Sequence, residues 1–236
     1  MISDLFSQLL ELEDVVVHPG ADAQTVWRCE QEHRWFFPAA YRELLQLTNG
    51  IEAYAGHYRL FGLSTGEAID AIAWNNEECW KFAWGGRCAG FWCFAETAWG
   101  DQYAFRIESL RAGEDDEVFF LDSMSMTPEV VASSFCEFFE KEFLRSAKAP
   151  YDAMMTLARC RFGPIDRETH LVSMPSPLLG VAEDLRNVHR MNARAAMICN
   201  GDLAVQVDNG PPEGVIQSLC HFIDERQRQR IRVVWK

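Results

Sequence analysis

The sequence predicts an α+β protein on three observations. Apolar residues recur at helical spacing near the start of the chain, short apolar runs of strand length follow between residues 58 and 121, and further strand-like runs fill the region after residue 193. Helices and strands that alternate irregularly along one chain are typical of the α+β class. We therefore expect a mixed domain of helices and antiparallel sheet, followed by a smaller β-rich C-terminal domain.

The predicted helices share apolar residues at three- and four-residue spacing. They lie at residues 3–13, about 22–32, 38–47, about 65–82, about 128–145 and 152–161. Pro38 and Pro128 are favoured in a first helical turn, and Thr127 stands before the second of them as an N-cap. Asn49-Gly50 ends the third helix because both residues tolerate positive φ.

The predicted strands are short runs rich in aromatic and β-branched residues. In the first part of the chain they lie at residues 58–63, 91–95, 102–107 and 117–121, and in the C-terminal part at 193–199, 202–207, 215–222 and 230–235. Asn200-Gly201 separates the first two C-terminal runs, and this dipeptide is the strongest short-range hairpin signal. We therefore expect a four-stranded antiparallel meander at the C-terminal end.

The composition of the chain changes near residues 146–150, where small residues are followed by a proline. Residues 1–145 carry 25 acids and 10 bases, a balance of −15, whereas residues 146–236 carry 10 acids and 12 bases, a balance of +2. We therefore predict one domain over 1–146 and a second, β-rich domain or extension over 147–236.

The acidity of the first part bears on the class of partner. Nucleic-acid binding needs clustered Lys and Arg, and an excess of carboxylates repels phosphates. The same excess attracts a basic protein and speeds its association, although acidity can also serve solubility alone. No apolar run approaches the ~18 residues that cross a bilayer, and the N-terminal residues lack the pattern of a secretory signal. We expect a cytoplasmic protein with a protein partner, and no contact with nucleic acid or membrane.

Motifs that would indicate catalysis are missing from the sequence. It contains no Gly-x-Ser-x-Gly, no phosphate-binding Gly-x-x-x-x-Gly-Lys-Ser/Thr and no His-Glu-x-x-His. The eight cysteines include no Cys-x-x-Cys pair, so buried thiols are favoured over disulfides or zinc ligands. The sequence therefore predicts no catalytic residue, no metal and no cofactor.

Three segments, in order, resemble the SUKH superfamily over about residues 20–145. The first is the Pro-x-x-Tyr…Leu-Leu…Asn-Gly pattern at 37–50. The second is a strand, a Gly-Asp turn and a strand ending on an aromatic, at 94–105. The third is the run at 118–122 with the helix predicted after it.

The resemblance implies a binding role rather than catalysis. Bacterial members of the superfamily are immunity proteins of polymorphic toxin systems, and many protect against a nuclease effector. We therefore expect an immunity protein that binds and neutralises a basic toxin domain. The alternative is a non-catalytic interaction scaffold related to the fungal regulators of cell-wall synthesis. The C-terminal part falls outside the motifs and could be a second module, a cover for the first sheet or a homodimer surface.

The candidate partner-binding residues come from the aromatic-rich stretch at 74–99 and the acids near it. Trp and Arg are enriched at binding hot spots, and carboxylates can mimic phosphate on a nuclease surface. The opposing interpretation is a buried aromatic core with a solvated acidic rim. The candidates are Glu77, Glu78, Trp84, Glu96, Trp99, Asp101 and Glu108.

Overall fold

The computed structural model describes residues 2–63, 69–114, 117–150 and 152–236. A seven-stranded antiparallel sheet forms the centre of the first part, and each strand pairs with the next one along the chain. The strands are β1 (Val16–Pro19), β2 (Thr48–Ala53), β3 (Tyr58–Leu60), β4 (Phe91–Thr97), β5 (Gln102–Arg106), β6 (Val118–Leu121) and β7 (Pro128–Ala132).

The helices of the first part are α1 (Ile2–Leu10), α2 (Ala23–His33), α3 (Ala39–Leu47), α4 (Ala71–Trp74), α5 (Ile107–Ala112), α6 (Phe135–Phe138) and α7 (Arg145–Lys148). A 3₁₀ turn covers Lys81–Trp84, and a π-helical stretch at Phe139–Leu144 joins α6 to α7. The helix predicted at about 65–82 is therefore present only as α4 and the 3₁₀ turn. Its first residues, 65–68, lie outside the described residues.

The C-terminal part contains the helices α8 (Ala153–Phe162) and α9 (Ala193–Asp208), two 3₁₀ turns at Pro177–Leu179 and Leu185–Asn187, and four strands. The strands β8 (Thr169–Ser173) and β9 (Val188–Asn192) pair with each other, as do β10 (Ile216–Ile223) and β11 (Gln229–Trp235). The predicted α+β class is confirmed, with a large antiparallel sheet followed by smaller β elements.

Aromatic rings fill the core between the sheet and the helices. Tyr41 of α3 lies 5.5 Å from Phe94, 5.4 Å from Phe105 and 5.0 Å from Phe135, measured between ring centroids. Edge-to-face pairs of this kind stabilise a core beyond the area that they bury. The same continuous core includes Met197 of α9, so the C-terminal part contributes to it.

Local sequence signals place several elements where they were predicted. Helix α2 begins after Asp22, whose carboxylate accepts the N–H of Thr25, and it ends at Arg34 in the left-handed conformation. Helix α3 begins after Pro38. All eight cysteines are free thiols, but only Cys29, Cys88 and Cys93 are buried, and Cys160 and Cys220 are exposed.

The helix predicted to open at Pro128 begins later than expected. Residues Pro128–Ala132 form β7, and α6 begins at Phe135 after Ser134, whose hydroxyl accepts the N–H of Glu137. The edge of β6 offers a hydrogen-bonding partner, and β-branched Val130 and Val131 suit a strand. Proline is tolerated at the start of such an edge strand, so its first-turn preference in helices was misleading here.

The predicted hairpin at Asn200-Gly201 is wrong, and so is the four-stranded meander. Residues Ala193–Asp208 form one helix, α9, which is capped by Asn192 through the N–H of Ala195. Apolar residues recur along it at helical spacing and are buried against the first part. Position 201 of this helix requires glycine, because a Cβ there would lie 2.9 Å from Cδ1 and Nε1 of Trp84. Close packing, and not a turn, explains the glycine.

We expect Gly201→Ala to destabilise the protein, although alanine is the better helix former. The added methyl group would overlap the Trp84 ring, and overpacking of this kind costs about 1–3 kcal/mol. Urea unfolding followed by tryptophan fluorescence measures the change. Gly90→Ala is the control, because a Cβ at Gly90 meets nothing within 4 Å, and it should leave the midpoint nearly unchanged. Equal midpoints for both variants would contradict the packing explanation.

Candidate functional site

The seven candidate residues do not form one surface. Trp84 and Glu96, which were predicted as binding residues, are completely buried, so neither side chain is accessible to a partner in this structure. Trp84 packs against Gly201 of α9. Glu77 is exposed in the turn after α4, and Glu108 is exposed on α5.

Glu96 belongs to an ion pair in the core. It lies directly opposite Arg59 in the β3–β4 ladder, and Nη2 of Arg59 is 2.8 Å from its Oε1. Its Oε2 is 3.0 Å from Nε2 of His170 and accepts a 3.1 Å hydrogen bond from the Gln102 amide. Burial opposes ionisation of Glu96, but the charges of Arg59 and His170 outweigh burial and hold its pKa below the ordinary value. The carboxylate that was expected to attract a toxin therefore neutralises an internal cation.

Glu78 is likewise engaged within the chain. Its two carboxylate oxygens lie 2.5 Å from Nη1 of Arg226 and 3.0 Å from Nη1 of Arg228, both in the turn between β10 and β11. The guanidinium of Arg228 also lies 3.8 Å from the ring centroid of Phe82. Glu78 therefore forms ion pairs between the first part of the chain and the β10–β11 hairpin.

Trp99 and Asp101 do lie together, on the turn between β4 and β5. Asp101 accepts a 2.7 Å hydrogen bond from the Thr97 hydroxyl and a 2.9 Å bond from the Ser123 N–H. Burial raises the pKa of Asp101 above its ordinary value. Gly100 between them has φ +88°, and a Cβ there would lie 3.0 Å from Nδ1 of His170. The turn therefore depends on glycine for both its conformation and its contact with β8.

The turn opens into a cleft of about 200 Å³ between the two parts of the chain. Four carboxylates line it, and we call it the acidic cleft; they belong to Asp101, Asp122, Asp152 and Glu183. The remaining lining residues are apolar or neutral and include no Lys, Arg or His: Trp99, Phe120, Ser123, Met124, Met154, Leu171, Val172, Ser173 and Asn200. Aromatic, methionine and carboxylate groups thus face one open space.

Backbone N–H groups hold two carboxylates of the acidic cleft. Asp122 accepts the N–H groups of Met124 and Ser125 at 2.9 and 3.0 Å, and Asp152 caps α8 by accepting the N–H of Met154 at 2.8 Å. Within the described parts of the chain, none of the four carboxylates has a basic side chain within 4 Å. No described basic side chain therefore neutralises the cleft, which would attract a cationic group.

Sequence reasoning found two cleft residues and missed the others. Asp122 follows a predicted strand and Asp152 starts a predicted helix, so both had a structural explanation, and Glu183 lies between elements with no signal around it. Trp27, which does not line the cleft, was not among the candidates either. It is 58% exposed, whereas the other seven tryptophans are buried or half-buried. The signal for Trp27 was its position outside the buried stripe of α2, which contains Val26, Cys29 and Glu30.

Among the described residues, no three His, Cys, Asp or Glu side chains are grouped so that they could hold a metal ion. No described helix is both long enough and apolar enough to cross a membrane.

A sequence model of the SMI1/KNR4 family (SUKH-1) matches residues 20–141. A solved structure, the crystal structure of Atu4351 from Agrobacterium tumefaciens, is similar over 95% of both chains, with a TM-score of 0.52 and 10% sequence identity. At that identity the likeness shows a shared fold alone. No curated protein matches the sequence.

We expect Arg59→Met to destabilise the protein by about 3–5 kcal/mol, because it leaves the buried Glu96 carboxylate without its cation. Arg59→Met combined with Glu96→Leu should cost less than Arg59→Met alone, since no uncompensated charge remains between the two positions. Chemical denaturation at neutral pH measures both. Lys141→Met removes an exposed ion pair with Glu137 and should cost much less than Arg59→Met, because water screens exposed charges. A double variant less stable than Arg59→Met would refute this account.

The lowered pKa of Glu96 also predicts a pH dependence of stability. In the unfolded chain the carboxyl has its ordinary pKa of 4.5, and in the folded protein the pKa is lower. The unfolded state therefore takes up the proton first, so this contribution is complete above about pH 4.5 and is lost as the pH falls through the folded pKa. Glu96→Gln should flatten the fall of the unfolding free energy on the acid side, measured by denaturation between pH 7 and 3. An unchanged slope would count against an ionised Glu96.

Proposed function

The chain belongs to the SMI1/KNR4 family (SUKH-1), and we propose on that basis that it is an immunity protein that binds and neutralises a cognate toxin domain. The observation that supports this role is the acidic cleft, which four acidic residues line with no cation among the lining residues. A protein built to bind another needs a recognition surface and no catalytic group. The cleft offers charge and shape of that kind.

The chemistry of the cleft favours a basic toxin domain of the nuclease type. A nuclease binds phosphates with Lys and Arg, so its active surface is positively charged. Carboxylates on the immunity protein can occupy those side chains in place of phosphate, and Trp99 adds an aromatic contact beside them. Such a toxin acts on nucleic acid inside the cell, so this role places the protein in the cytoplasm.

We further propose that residues 1–146 form the family domain and that residues 147–236 are an extension completing the binding surface. The family match ends at residue 141. Asp101 and Asp122 come from the first part, whereas Asp152 and Glu183 come from the second. The extension therefore doubles the number of carboxylates in the cleft, which gives the C-terminal part a role in recognition.

The combined variant Asp152→Asn/Glu183→Gln should weaken binding of the toxin domain encoded beside this gene. Both changes remove a charge at nearly constant shape, and asparagine keeps the helix cap of α8. We expect the association rate to fall about tenfold at low salt, with a smaller loss at high salt. Surface plasmon resonance measures the rates, and co-expression with the toxin measures protection.

Glu77→Gln/Glu108→Gln is the matched control, because it removes two exposed carboxylates that do not line the cleft. It should leave the rates and the protection nearly unchanged. If the control weakens binding as strongly as the cleft variant, net charge and not the cleft governs recognition. If the wild-type protein neither binds the toxin domain nor protects against it, the immunity role is wrong, and capture of a different basic protein by the cleft would point to an interaction scaffold.

A further inference from the structure

The two outer edges of the β10–β11 hairpin differ in their hydrogen bonding. Side chains of α9 cap the outer edge of β11. The N–H of Ile231 donates to Asp202 at 2.8 Å, the Gln206 amide donates to the Ile231 carbonyl at 2.8 Å, and the N–H of Val233 donates to Gln206 Oε1 at 2.9 Å. Three backbone groups at the middle of this edge are therefore satisfied by side chains of α9.

The outer edge of β10 has no such cap. The register places Leu219 opposite Val233 and His221 opposite Ile231. In an antiparallel ladder both members of a non-hydrogen-bonded pair turn their backbone groups outward. Because Ile231 and Val233 face outward, Leu219, His221 and, two residues on, Ile223 do so as well. Within the described part of the chain, nothing accepts a hydrogen bond from the N–H groups of these three residues.

Nothing in the sequence of β10 protects this edge. Natural edge strands are blunted by lysine, proline or inward-pointing charges, whereas Ile216–Ile223 contains no charged residue and no proline. The side chains of Leu219 and Ile223 are 41% and 50% exposed. An uncharged strand with free donors and exposed apolar side chains is a template for pairing with another strand.

We propose that this edge pairs with the same strand of a second copy, antiparallel and related by a two-fold axis at His221. The apolar–His–apolar pattern at 219, 221 and 223 reads the same in both directions, so Leu219 of each copy meets Ile223 of the other. All three outward donors on each strand then find acceptors, giving about six N–H···O bonds. A two-fold interface uses one patch twice, and this edge is complementary to itself.

The charges of the chain favour self-pairing at this place. The strand is uncharged, and the residues 146–236 that contain it carry 10 acids and 12 bases, so the two copies meet through the part of the chain whose charge is nearly balanced. The paired segment, residues 219–223 of each copy, spans only about 14 Å, and it buries less than the ~800 Å² per partner of a stable interface. The dimer should therefore be weak, with a dissociation constant on the order of 10 µM.

The test uses charge at the two-fold axis. His221→Glu and His221→Lys each place like charges opposite each other, so each variant alone should sediment as the 27.0 kDa monomer at concentrations where the wild type has twice that mass. An equimolar mixture of the two variants places opposite charges there and should restore the dimer. Sedimentation equilibrium at low salt gives the masses. We expect the dissociation constant of each variant alone to be at least ten times larger than that of the wild type.

His189→Glu and His189→Lys are the matched controls, because His189 is exposed on β9, outside the hairpin, and these variants should dimerise as the wild type does. Circular dichroism confirms folding of every variant. A wild-type protein that stays monomeric up to several hundred micromolar overturns the proposal, and so do His221 variants that dimerise normally. A monomeric wild type whose His221 variants lose toxin binding would assign the edge to the toxin instead. Toxin binding through the acidic cleft is measured separately, so the two proposals fail independently.

Discussion

The buried Arg59–Glu96 ion pair connects the two parts of this chain. Glu96 neutralises Arg59 within the β3–β4 ladder, while Nη1 of Arg59 donates to the carbonyls of Asp166 and Thr169 at 2.7 and 3.2 Å. His170 completes the group from β8. Taking these charges out of water costs several kcal/mol per ion, and only near-complete pairing repays that cost. The C-terminal part supplies some of the partners, so the sheet reaches its full stability only with β8 in place.

The turn after β4 shows how this contact constrains its surroundings. Glu96 points into the core toward His170, and four residues later Gly100 brings the backbone against the same imidazole and against Met197 of α9. The Ala98 carbonyl accepts the N–H of Leu171 at 2.7 Å. Residues 96–100 thus contact the His170 side chain, helix α9 and the backbone N–H of Leu171, which all belong to the C-terminal part. Asp101, the next residue, is thereby fixed at the base of the acidic cleft.

Sequence reasoning succeeded where the deciding interaction is local and failed where it is distant. The Asp22 cap and the αL end of α2 depend on residues within one turn, so that helix was predictable. Residues 128–132 and 193–208 have apolar patterns that suit either a strand or a helix, and the neighbours that decide between them are β6 and Trp84. For the candidate site, sequence showed an acidic, aromatic region. It could not show that Glu96 faces a cation from another strand, because an internal carboxylate and a surface one look alike in sequence.

The acidic cleft has an energetic cost in the isolated protein. Four like charges share a small space, and the raised pKa of Asp101 shows that burial already disfavours its ionised form. Ordinary surfaces intersperse both signs, as Glu78 and its two arginines do. A guanidinium or ammonium group entering the cleft would remove the repulsion and gain a desolvated ion pair. The difference in electrostatic energy between the isolated cleft and a cleft that holds a cationic group would favour association with a cationic partner. This difference depends on carboxylates that both parts of the chain supply.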